Sequence, residues 1–326
     1  MDEKLWEDLY EKILEGDILK VISFALEYIT KDDIFANGSL KKICVTLLLL
    51  AVFAGVFNAF LDSFKGKEAS KMSFLMINIL MFSTLMTLYY EMLEITGGVL
   101  NSVILLMNAA IPIYYVAVVS SGNYLSAYTY YRISILAIYV IEQVILHVVL
   151  PWVSCYMVLS FGNALWLEKK LSAVTDFVKK MITTVLKMLI GIVSGISFLQ
   201  SMVSPMIDEL KNNAVGKVAS MIPGIGNATE GMTELTIGSL VLIKNSVGLC
   251  IFLMLFITAA VPIIKLFVVN LLLKGCGAIM SVISEKDFTR PVMDTACAIT
   301  LLLKIVISVL LLFIVSMAIV AFTTNS

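Results

Sequence analysis

The sequence is short of charge. Only 14% of its 326 residues are charged while 60% are hydrophobic, against roughly a quarter charged in soluble domains. Water cannot be the main solvent for such a surface, which leaves the bilayer. A basic excess is missing as well, with 23 Lys and Arg against 24 Asp and Glu, so there is no positive field to hold a nucleic acid. Histidine is reduced to His147, and the five cysteines (Cys44, Cys155, Cys250, Cys276 and Cys297) stand singly in apolar runs. Without Cys-x-x-Cys spacing or clustered histidines no metal ligand set forms, and the thiols read as small packing residues. The motifs His-Glu-x-x-His, Gly-x-Ser-x-Gly and Gly-x-x-x-x-Gly-Lys-Ser/Thr do not occur, and Gly224, Gly226 and Gly231 miss the dinucleotide spacing. No catalytic, cofactor-binding or metal site is expected, and the chain is not read as an enzyme. The N-terminus also lacks the positive, apolar, small-residue order of a cleavable signal peptide.

What the sequence does contain is apolar runs of membrane length, about 20 residues each. They fall at 42–62, 72–92, 99–120, 131–163, 183–204, 240–262, 263–283 and 296–321. The fourth is too long for one straight helix and holds Pro151, so it is kinked or divided there. The expected fold is an all-α polytopic integral membrane protein of about seven to nine segments, some broken or re-entrant. Ahead of them, residues 1–36 read as an acidic amphipathic helical region. Leu5, Trp6, Leu9, Tyr10 and Ile13 share one face, opposite Glu3, Glu7, Asp8, Glu11 and Glu15.

The membrane domain, 37–326, divides into a first half (37–166), an interfacial helix (167–188) and a second half (189–326). In the interfacial helix Leu171, Val174, Val178, Met181, Val185 and Met188 recur at helical spacing opposite lysines. Lysines crowd two connections, Lys65, Lys67 and Lys71 in one and Lys169, Lys170, Lys179 and Lys180 in the other. The turn expected at 91–98 carries only Glu91 and Glu94. The lysine-rich connections therefore belong in the cytoplasm. Both clusters share that side only if 131–163 crosses and returns, or re-enters.

Small residues at four-residue spacing, Ala51, Gly55 and Ala59, then Gly191 and Gly195, suit close helix approach in lipid, within the chain or between copies. Ile111-Pro112 and Ile222-Pro223 are each followed at the same interval by a second proline, Pro151 and Pro262. Corresponding broken helices in two halves are a transporter-like feature.

Polar groups at membrane depth are costly and face the protein interior or a wet cavity. Glu142, Gln143 and His147 lie within one and a half turns beside Pro151, with Glu142 and His147 about 140° apart on an α-helix. They read either as a proton- or ion-sensitive site or as a buried pair satisfied by neighbours. Asn245 and Asn270 are further interior candidates, because Lys244, Lys274 and Lys304 can snorkel to headgroups. The stretch 205–239, with Pro205, Pro223, Gly224, Gly226 and Gly231, is dense in helix breakers. It reads as a re-entrant or gating loop, or as a plain external connection.

The order Leu199-Gln200, Pro205, Asp208, Ile222-Pro223, Gly226, Gly238-Ser239, Lys244-Asn245, Gly248, Pro262 and Lys265 resembles the stage III sporulation protein AE family of endospore-forming Firmicutes. The likeness is strongest over 190–290, weaker over 40–180 and not evident in 1–36. It implies a multi-pass protein of the mother-cell membrane around the forespore, acting as core or pore subunit of a channel complex. It implies as partners other membrane proteins of the sporulation operon, including ring-forming and ATPase components, and a forespore protein. It carries no catalytic residues. A self-contained permease-like secondary transporter is the other functional reading, with a site near Glu142, His147, Asn245 and Asn270.

Overall fold

The computed structural model describes residues 45, 46, 49, 52 and 53 and the stretches 67–121, 124–165, 171–219, 226–283 and 286–323. The elements are all helical: α1 (Lys67–Ser120), α2 (Tyr124–Val140), a π-helix (Ile141–Val149), α3 (Leu150–Leu165), α4 (Ser172–Ala219), α5 (Gly226–Ile283) and α6 (Lys286–Thr323). Apolar chains of this length favour helices because only internal hydrogen bonds satisfy a backbone in hydrocarbon. The N-terminal region 1–36 and Gly55 lie outside the described residues.

The all-α expectation holds, but the expected segments merge. Four helical stretches among the described residues are long and apolar enough to cross a membrane: Leu75–Ser120, Tyr131–Ala164, Asn245–Val282 and Phe288–Val315. The runs 72–92 and 99–120 are one helix of 54 residues, about 80 Å long at 1.5 Å per residue. The runs 240–262 and 263–283 fuse likewise within α5. The turn expected at 91–98 is helical because its polar groups do not interrupt the backbone ladder. Glu94 faces outward, Thr96 donates its hydroxyl to the Met92 carbonyl at 2.8 Å, and glycine weakens a helix without forbidding it. Hydropathy along the chain cannot distinguish a polar pause in a helix from a turn.

With α1 continuous, 131–163 need not re-enter the membrane. One helix and one helical run, α2 through α3, separate the two lysine-rich connections, so two crossings return the chain to the same side. Of their lysines, the described Lys67, Lys71, Lys179 and Lys180 belong to the same compact unit. We expect cysteines placed at positions 67 and 170 to react with an impermeant thiol reagent from the cytoplasmic side only. Labelling of the two from opposite sides would refute this topology.

Two compact units are built from these helices. Unit 1 comprises Met1–Val99, Leu146–Thr184 and Ala260–Val306, and unit 2 comprises Leu100–Ile145, Val185–Ala259 and Ile307–Ser326. In unit 1, Met81, Leu85, Leu88 and Tyr89 of α1 are buried, as are Val153 and Met157 of α3 and Val292, Ala296 and Ile299 of α6. Phe82 stacks on Phe161 with ring centroids 3.5 Å apart, and Tyr89 shares a 2.9 Å hydrogen bond with Ser154. In unit 2, Tyr114 of α1 is buried and its ring lies against Gly248 of α5. Burial every three to four residues along each helix is the pattern of an apolar stripe turned to a core.

The π-helix has a local cause. Pro151 has no N–H for the carbonyls one turn earlier, and its ring clashes with the carbonyl at His147, so the preceding turns widen. Burial continues across it at every fourth residue, through Ala137, Ile141, Ile145, Val149, Val153 and Met157. In an α-helix four residues overshoot a full turn by about 40°, and the wider turns offset that drift. Pro262 lies inside an α-helix instead, and Pro223 lies outside the described residues. The proline correspondence therefore does not mark equivalent backbone breaks at Pro151 and Pro262.

One other expectation changes. The breaker-rich stretch 205–239 is largely helical, because α4 runs to Ala219 and α5 begins at Gly226, so Pro205, Gly226 and Gly231 all lie in helices. Residues 220–225, with Pro223 and Gly224, lie outside the described residues. The apolar stripe expected at 167–188 belongs to an interfacial helix and need not be an inward face. Val174, Met181 and Met188 are exposed, while Thr175, Ile182 and Leu186 are buried.

Candidate functional site

The polar groups that converge within one unit are on α3, α4 and α6 of unit 1. Asp294 lies in the first third of α6, inside the apolar stretch Phe288–Val315, and its side chain is 25% exposed. Ser160 of α3 hydrogen-bonds to it, and the same hydroxyl pairs with Tyr156 one turn earlier on the same helical face. Tyr156, Ser160 and Thr295 are all buried. Thr295 donates to the Pro291 carbonyl at 2.8 Å, which satisfies its hydroxyl proton locally. Phe82, Leu85, Met157, Phe161 and Pro291 complete a cavity of about 10 Å³ around Ser160, Asp294 and Thr295. That is close to the least volume that admits one water.

Among the described residues, charge around the cluster is balanced. Arg290, one turn before Asp294, approaches it at 4.0 Å, the outer limit of an ion pair. Lys179 and Asp176 of α4 act on it from a second helix. The Lys179 ammonium also lies 3.7 Å from the Cys297 thiol. Two acids and two bases thus meet at the ends of three helices, with no partner locked in a close bidentate geometry. The interior candidates expected from the sequence do not include Asp294, because a segment drawn from 296 leaves it in a connection. A lone aspartate followed by a long apolar run, one turn after an arginine, is the signal that could have found it.

The sequence candidates are placed differently. Glu142 and His147 both sit on the π-helix, which stacks residues five apart, so the 140° separation of an α-helix does not apply. Both are exposed, as is Gln143. Asn245 is exposed in unit 2. Asn270 is buried in unit 1, where its amide donates to the Thr300 hydroxyl at 2.7 Å and its carbonyl oxygen has no hydrogen-bond partner among the described residues. Glu142 and Asn245 fall in unit 2, His147 and Asn270 in unit 1. Gly191 and Gly195 are exposed, with no described atom within 4 Å of an added Cβ. Among the described residues, the close glycine contacts are at Gly248 against Tyr114 and at Gly277 against Met293.

The helical, apolar architecture and the residue order noted above point to the same family. A family model for stage III sporulation protein AE matches residues 3–324. The chain belongs to the stage III sporulation protein AE family. The match extends through residues 1–36, where the residue order alone shows no likeness. A curated relative in Bacillus subtilis (strain 168), stage III sporulation protein AE, is 20% identical over 249 residues, covering 76% of this chain. The matched part spans 62% of that relative's length. No solved structure matches the chain. Among the described residues no group of three or more His, Cys, Asp or Glu could hold a metal. As a stage III sporulation protein AE family member with four candidate crossing helices, the chain fits a membrane location.

Proposed function

We propose that this chain is the membrane core or pore subunit of a channel complex joining the mother cell to the forespore, serving assembly and the passage of small molecules. Membership of a sporulation family across residues 3–324 carries this reading. The long apolar helices support it, since they leave little chain outside the membrane for catalysis. Further crossings at 42–62 and 183–204 would bring the total nearer the expected seven to nine. The partners in this reading are ring-forming and ATPase proteins of the same operon and a forespore protein, and the site of action is the mother-cell membrane around the forespore.

A second reading, a self-contained secondary transporter, draws on one observation. Glu142, Gln143 and His147 all fall within one π-helix of an otherwise apolar stretch, and such helices recur at functional sites. Reconstitution separates the two. Purified chain alone in liposomes should show no saturable solute flux, and deleting the chain in its endospore-forming host should stall development after engulfment. Saturable flux from the chain alone would favour the transporter. Normal spore yield after deletion would remove the channel reading.

A further inference from the structure

We propose that Asp294 is a reversible proton site near the start of the apolar stretch of α6, held by the Tyr156–Ser160 hydroxyl pair and a water-sized cavity. All of these residues belong to unit 1, and the site does not depend on the channel reading.

What surrounds the carboxyl decides its chemistry. Its direct hydrogen-bond partner is a hydroxyl, Ser160, which can donate or accept. Ser160 is itself paired with another amphoteric hydroxyl, Tyr156. With Asp294 ionised, Ser160 donates to it and accepts from Tyr156. With Asp294 protonated, its carbonyl oxygen still accepts from Ser160 and its acid O–H donates into the cavity. The Tyr156–Ser160 pair thus keeps the same donor order in both states, so a proton can be added or removed without leaving a hydroxyl of the pair unsatisfied.

The cavity serves both states in the same way. Thr295 has committed its proton to the Pro291 carbonyl, so it offers the cavity only lone pairs. Ser160 and ionised Asp294 do likewise. An acceptor-lined space of about 10 Å³ suits one water, which can donate to the carboxylate or accept from the acid. A metal cation fits poorly, because Arg290 and Lys179 already balance Asp294 and Asp176. Among the described residues, the titratable and charged groups facing Asp294 are Tyr156 from α3, Lys179 and Asp176 from α4, and Arg290 from α6, with Cys297 beside Lys179. From α1 the cavity receives only Phe82 and Leu85. Had a guanidinium clamped Asp294 in two short bonds, the anion would be locked. Arg290 at 4.0 Å does not do this.

An apolar carbodiimide tests the proposal on the full-length protein in detergent. Dicyclohexylcarbodiimide adds to a protonated carboxyl: the carboxyl oxygen bonds to the central carbon and the acid proton moves to nitrogen, leaving a stable N-acylurea after rearrangement. Mass spectrometry should find Asp294 modified, with labelling several-fold greater at about pH 5.5 than at about pH 8. Ser160→Ala should displace that pH profile, because it removes the hydroxyl that donates to the carboxylate. Where a variant lowers yield, infrared spectra of the wild type supply the second measurement. A component of the protonated-carboxyl band that rises on acidification should be missing from Asp294→Asn. Folded protein whose Asp294 stays unmodified at every pH, or is modified equally at all of them, would overturn the proposal and leave a static charge cluster.

Discussion

Gly248→Leu should lower the stability of the purified protein by about 1–3 kcal/mol, the usual cost of forcing extra methylenes into a packed site. A Cβ at Gly248 would already lie 3.1 Å from Tyr114 Cε2, and that ring is 1% exposed with nowhere to retreat. In lipid, new apolar surface gives no compensating drive for helix association. Gly191→Leu and Gly195→Leu should stay within about 0.5 kcal/mol, since both point into open space among the described residues. Gly277 is intermediate. Its Cβ would meet Met293 Sδ at 2.7 Å, but Met293 is 43% exposed and its flexible thioether can swing aside. Unfolding in mixed micelles by increasing sodium dodecyl sulfate measures all four variants. Equal losses at Gly248 and Gly191 would show that the close approach has been misassigned.

A second large effect is expected at Asn270. Replacement by Asp should destabilise by about 2.5–3.5 kcal/mol, the insertion cost of an acidic side chain near a helix centre. The site is 6% exposed, and the Asn270 amide spends its hydrogen bond on the Thr300 hydroxyl. Asn270→Leu should cost less than about 1 kcal/mol, because an interhelical hydrogen bond in membranes averages about 0.6 kcal/mol. Leucine also removes the carbonyl oxygen that lacks a partner, while Thr300 keeps its 2.8 Å bond to the Ala296 carbonyl. The same micelle titration ranks the pair. Asp tolerated as well as Leu would mean that water reaches the position.

Several features are legible in the residue order alone. The apolar runs mark where helices lie, and the order of residues from Leu199 to Lys265 marks the family. Asn270 stands out in the sequence as a polar residue at membrane depth, and it is buried. Glu142 and His147 stand out too, but with α-helical angles, because nothing in a hydropathy pattern announces that Pro151 widens the preceding turns. Asp294 escapes for a related reason: a segment boundary drawn by apolarity excludes the one acid that begins a helix face. The glycine spacing at Gly191 and Gly195 satisfies the close-approach pattern, yet Gly248, outside any such pattern, receives the tyrosine.

Composition by itself determined the solvent, the helical class and the absence of recognisable catalytic motifs, because each depends on how many residues of each kind the chain holds and in what order. Tertiary structure decided whether 91–98 turns or continues, which glycines meet a neighbour and which hydroxyls reach Asp294. Those outcomes depend on helix phase and on the side chains that neighbouring helices present, and a small change in residues per turn is enough to move a side chain from core to surface.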